Sequence, residues 1–104
     1  MDTQMKKGIL EMCILYRLKD KELYGYELMK SIRQVFPDVY EGSIYTILRR
    51  LNATGHTQIT PKKSVTGPDR KYYSLTPAGL EYLGQMLAEW KEILDSVSAL
   101  GIQI

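Results

Sequence analysis

Between residues 57 and 75 the hydrophobic pattern changes period, and that change constrains the fold more than any other feature. Up to residue 55 the apolar residues recur at helical spacing. From 57 to 63 and from 70 to 75 they alternate, with "SVTGPD" between. Gly67-Pro68-Asp69 is strong turn chemistry, and "KYYSL" is aromatic and alternating, as a strand requires. Thr76 then stands where an N-cap belongs and Pro77 where a helix opens. The order is helix, helix, helix, two-stranded ribbon, long helix, which is a mainly α chain with a small β-wing. At 104 residues the natural expectation is one globular unit, with residues 1–76 holding three helices and the ribbon and 77–104 the final helix. Apolar residues make up 44%, enough to fill its core.

The helices differ in what they must cover. Residues 5 to 18 carry Ile9, Leu10, Met12, Cys13, Ile14, Leu15, Tyr16 and Leu18, which go all the way round a helix. Such a helix is buried on every side, and one small subunit can hardly enclose it, so a partner subunit is expected. Glu11 and Arg17 interrupt the run and no small-residue cleavage site follows, so the segment reads as a helix of the mature protein, in the cytoplasm, with no membrane span. In "LYGYELMKSIRQVF", Tyr24, Leu28, Ile32 and Val35 keep helical spacing until Pro37-Asp38. The third helix is expected to start near Gly42 or Ser43, with Ser43 as cap, to bury Ile44, Ile47, Leu48 and Leu51, and to stop at Gly55.

In the final helix, residues 77 to about 100, ten apolar residues fall within about 160° of arc at about 3.6 residues per turn. About 100° suffices for docking on one core. The excess predicts a second surface, most economically another copy of the same helix. The expected subunit contact is Ile9, Met12, Leu83, Leu87, Trp90, Leu94 and Val97. Gly84 inside this helix has no evident reason.

The net charge of +2 hides an asymmetry. Residues 42 to 75 carry Arg49, Arg50, Lys62, Lys63, Arg70 and Lys71 against Asp69 alone, while 76 to 104 carry Lys91 against Glu81, Glu89, Glu92 and Asp95. A local positive field attracts polyanions. Catalysis is not indicated: a single His and a single Cys supply neither a nucleophile–base set nor the ligands of a zinc site, and no Gly-rich phosphate loop follows a strand. Cys13 excludes an internal disulfide and fits a reducing compartment as an inert thiol. His56 reads as a polar turn residue, and Tyr72 as ordinary sheet packing rather than a base-stacking platform.

If Ile44, Ile47, Leu48 and Leu51 face inward, the opposite face of the third helix shows Ser43, Tyr45, Thr46, Arg49 and Arg50. Such groups donate to phosphates and base edges. Three helices and a basic ribbon describe a winged helix-turn-helix, with the third helix in the major groove of duplex DNA. Ser43, Thr46, Arg49 and Arg50 are the expected base readers. Tyr24, Tyr45, Lys62, Lys63, Arg70 and Lys71 are the expected phosphate contacts. A second class of reading keeps the fold but makes it a protein–protein interaction module.

"LYGYELMKSI", "GSIYTILRRLNATG" and "GPDRKYYSLTPAG" stand in the order and spacing of the PadR family of bacterial transcriptional regulators, which the chain resembles over residues 8 to 94. The resemblance implies a dimeric winged-helix repressor of the short subfamily, whose final helix pairs with the first and final helices of the other subunit. It also implies that Tyr24, Tyr45 and Arg49 lie toward DNA. Trp90 matches a tryptophan that in some members lines a flat cavity for planar aromatic compounds. Met86 and Ile93, near it on the wheel, are the expected neighbours of such an effector, although an interface anchor is the favoured reading of Trp90 and both can hold if the two copies stand apart. The chain departs from the family at Thr46, often proline, and at His56-Thr57, commonly apolar.

Overall fold

The computed structural model describes residues 3–103, and side chains from residue 5 onward. Helix α1 (Thr3–Arg17) leads into strand β1 (Leu23–Tyr24), helix α2 (Gly25–Val35), helix α3 (Glu41–Ala53), strands β2 (Thr57–Lys62) and β3 (Arg70–Leu75), and helix α4 (Pro77–Ala99). The antiparallel sheet has the order β1-β3-β2. This is the winged helix-turn-helix expected from the change of period, with a third strand that periodicity did not reveal.

Strand β1 takes Tyr24 out of the helical stripe in which its spacing placed it. Leu23 pairs with Tyr73 and Tyr24 with Tyr72, so the sheet holds both residues extended and α2 begins only at Gly25. A second correction concerns α3. Its N-cap is Tyr40, which offers no side-chain hydrogen bond, and the helix starts at Glu41 rather than at a Ser43 cap. The turn into α3 is held from α2 instead: Arg33 Nε donates to the Val39 carbonyl at 3.0 Å and its Nη1 to Glu41 at 3.4 Å.

The inner stripe of α3 came out as the spacing requires, whereas that of α2 holds only at Leu28 and Ile32, since Val35 at its end is exposed. Leu28, Met29 and Ile32 of α2 and Ile44, Ile47, Leu48 and Leu51 of α3 are buried together with Leu10, Ile14, Leu15 and Leu18 of α1. The other side of α1 is not covered by the same chain: Tyr16 is exposed, and Ile9, Met12 and Cys13 are half-buried. Burial pushes the Cys13 thiol up from its ordinary value, which suppresses the reactive thiolate.

Helix α3 ends as predicted at Gly55, whose φ of 80° lies where side chains with a Cβ are strained. His56 N–H donates to the Leu51 carbonyl at 2.9 Å and Gly55 N–H to the Asn52 carbonyl at 3.2 Å, the paired bonds of a Schellman stop. The same turn seats α4. Thr76 caps it by accepting from Gly79 N–H at 3.0 Å, and the Thr76 hydroxyl donates to the Gly55 carbonyl at 2.6 Å. Gly79 then passes so close that a Cβ there would sit 1.9 Å from the His56 carbonyl oxygen. Thr57, beside this junction, is buried with a hydroxyl that finds no partner among the described residues.

Beyond Leu83, no residue of α4 among those described is fully buried. The radius of gyration is 15.3 Å, against about 13 Å for a compact chain of ~100 residues. Leu80, Ile93 and Leu94 are exposed, and Leu87 lies at the margin. Leu83 is 2% exposed, so this residue, grouped from the wheel with the subunit contact, belongs to the chain's own core. No helix among the described residues is long and apolar enough to cross a membrane.

Candidate nucleic-acid interface

One face of α3 is core, so its other face is displayed. Ser43, Thr46, Arg49 and Arg50 are exposed, and Tyr45 is half-buried toward Gly25 and Tyr73. Thr46 makes a polar chain along the helix. Its hydroxyl donates to the Gly42 carbonyl at 2.8 Å and accepts from Arg49 Nη2 at 3.2 Å. The Arg49 guanidinium therefore lies along the exposed ridge with donors to spare. Tyr45 is pushed above the ordinary phenol value by burial and then by Tyr24 and Glu41, so it presents a proton to donate.

Arg50, expected as a base reader, is also engaged within the chain. Its Nη2 donates to Glu11 Oε2 of α1, while Glu11 Oε1 accepts from the Tyr82 hydroxyl of α4 at 2.6 Å. Glu11 is 8% exposed, and a buried carboxylate persists only when its oxygens are satisfied. Arg50 and Tyr82 do this from two other helices. The bond to Glu11, then burial, holds the Tyr82 phenol above its usual value. Tyr82 also stacks on His56 with centroids 4.4 Å apart. Arg50 thus ties the exposed helix to α1 and α4.

The wing side is layered. Arg70 sits 4.8 Å over the Tyr24 ring and Lys62 4.9 Å over Tyr72, with the two rings 5.9 Å apart. Lys62 also donates to Glu22 just before β1, which raises its ammonium above its ordinary value. Lys63 and Lys71 are exposed and form no ion pair among the described residues. A groove of about 350 Å³ between α2, α3 and the wing is lined by Tyr24, Tyr26, Tyr45, Arg49, Arg70 and Lys71, with Asp69 as its one carboxylate. A second groove, about 710 Å³, lies across α3 against the start of α1 and brings Lys6 and Lys7 to Ser43, Thr46 and Arg49. Neither Tyr26 nor the lysine pair was singled out from the sequence. Lys6 stands one turn before buried Leu10, but that spacing becomes informative only once α1 is known to cross α3.

Trp90 borders a third concavity. It lines an apolar cleft of about 520 Å³ with Leu87, Met12, Tyr16, Ile32 and Phe36. Met86 packs on the core and Ile93 is exposed, and neither lines the cleft. Among the described residues no group of three or more His, Cys, Asp or Glu is arranged to hold a metal ion.

The sequence matches the transcriptional regulator PadR-like family over residues 14–85. The chain is 41% identical to a PadR-like transcriptional regulator from Bacillus cereus, covering 98% of this chain and 100% of that one with a TM-score of 0.84. It is 35% identical to a Streptococcus transcriptional regulator over 97% of this chain and 100% of that one, with a TM-score of 0.86. A PadR-like transcription factor from Bacteroides fragilis is likewise 35% identical, over 94% and 95% of the two chains, with a TM-score of 0.82. The chain belongs to the PadR-like family of transcriptional regulators.

Proposed function

We propose that this regulator is a homodimeric repressor that reads a pseudo-palindromic duplex operator. In this reading α3 lies in the major groove. Ser43, Thr46 and Arg49 meet base edges, and Arg49, bidentate in reach, suits guanine O6 and N7. Tyr24, Tyr45, Lys63, Arg70 and Lys71 meet phosphates. Lys62 and Arg50 contribute mainly by holding the wing and α3 in position, since each is already engaged by a carboxylate. The observation that carries the reading is the exposed Thr46–Arg49 ridge, backed by a fully apolar inner face and flanked by cationic grooves. Pairing is supported by the uncovered apolar surface of α4 and α1: Ile9, Met12, Leu87, Trp90, Leu94 and Val97 remain exposed or half-buried in one chain. A two-fold pair sets half-sites about 34–36 Å apart or a multiple of that. The test is selection of genomic fragments by the protein, followed by a reporter placed behind the selected site. Loss of repression on deleting the gene supports the reading, and fragments without a shared inverted repeat contradict it.

A second reading is favoured by the cleft at Trp90: a planar aromatic compound stacks there and releases the operator. The cleft joins α1 to α4, the two helices that Glu11 and Tyr82 connect to Arg50. Since the chain has one tryptophan, quenching of its fluorescence by a panel of planar dyes reads occupancy directly. A panel that leaves the emission unchanged rejects this reading without touching the first.

A further inference from the structure

Arg49 lines two grooves, one on each side of α3. The wing accounts for one. The other runs between α3 and the first turns of α1, and its cations are Lys6, Lys7, Arg49 and Arg50 against Asp38. Arg50 is committed to Glu11, so the lysine pair supplies the free charge of that wall. Lys7 is exposed and Lys6 half-buried, and neither forms an ion pair among the described residues. The burial of Leu10, one turn further on, fixes which face of α1 carries Lys6 toward α3.

A helix seated in the major groove, about 12 Å wide, has a phosphodiester strand along each edge. The wing is on one side of α3 only. We infer that Lys6 and Lys7 bind the phosphodiester strand at the opposite edge of the groove, so that each subunit grips both backbones across its recognition helix. This rests on the reading of α3 as the DNA-facing helix. Lysine suits such a contact because a compact, flexible point charge neutralises phosphate without reading bases. The contact is therefore independent of sequence and adds affinity, not discrimination.

The test compares wild type, Lys6→Ala/Lys7→Ala, Lys63→Ala/Lys71→Ala and the quadruple variant on an operator and a random duplex across a salt series. Alanine preserves the helix, and melting by circular dichroism checks that it has. The lysine pair on α1 is expected to flatten the slope of log affinity against log salt by roughly 1 to 2 units per bound subunit. The operator-to-random ratio should stay unchanged, and the loss should add to that of the wing variant. Methylphosphonates on the strand edge away from the wing should weaken wild type and leave the α1 variant indifferent. An unchanged slope in the α1 variant, with a steep one in wild type, overturns this inference alone. Salt-independent or absent binding by wild type overturns the reading of α3 and this inference with it.

Discussion

Replacing Glu11 by glutamine keeps the size of the side chain and removes its charge. In the native chain one oxygen accepts from Arg50 and the other from Tyr82. Breaking a buried ion pair costs about 3–5 kcal/mol, but the Arg50 side chain is 44% exposed against 10% for Glu11, so water takes over part of the guanidinium. Glutamine can also still accept from Tyr82. A cost of about 2 kcal/mol follows, near the value of a hydrogen bond to a charged group. Arg50→Met should cost more, about 3 kcal/mol, because it strands the more buried partner. The double variant should lose less than the sum of the two. Urea unfolding at one fixed protein concentration measures all three, since the proposed pairing would make stability concentration-dependent. Variants within about 0.5 kcal/mol of wild type, or Glu11→Gln costing more than Arg50→Met, would mean an ordinary surface pair and refute the role of Arg50 as a tie between helices.

Two glycines on α4 should respond in opposite directions to alanine. Gly79→Ala drives a Cβ into the His56 carbonyl and should cost at least about 1–3 kcal/mol, whereas Gly84→Ala meets open space and should gain up to about 1 kcal/mol of helix stability; thermal melts decide both. Thr57→Val removes a buried hydroxyl without a partner and keeps a β-branched shape, so the midpoint of urea unfolding should rise; a fall would point to a bound water there. The raised Tyr82 phenol, with 10.0 as its ordinary value, keeps its proton in the folded chain where the unfolded chain has lost it. Its contribution is complete below that pH and disappears as pH rises through the folded value. Tyr82→Phe should therefore be less stable than wild type at neutral pH and lose less on alkaline titration, and parallel titrations would contradict the assignment.

Features whose causes are local were legible in the sequence. The stripes Leu28–Ile32 and Ile44–Leu51, the stop at Gly55 and the Thr76-Pro77 helix start each depend on residues within one or two turns. The misses involve distant partners. Tyr24 looks like part of a helical stripe until the sheet claims it through Tyr72. Arg50 looks like its neighbour Arg49, and only a carboxylate 39 residues away gives it a different partner. Tyr40 replaces the expected Ser43 cap because Arg33 anchors that turn from α2. The wheel grouped Leu83 with Leu87 and Leu94, since it shows which residues share a face but not where along α4 the chain's own core ends.

The most direct measurement of the central claim is the affinity of Arg49→Ala for a selected operator and for random duplex, at one salt concentration, beside wild type. A base-reading α3 predicts that the operator is weakened by about 1–3 kcal/mol more than the random duplex. Equal losses on both duplexes would make Arg49 a backbone contact and contradict the account.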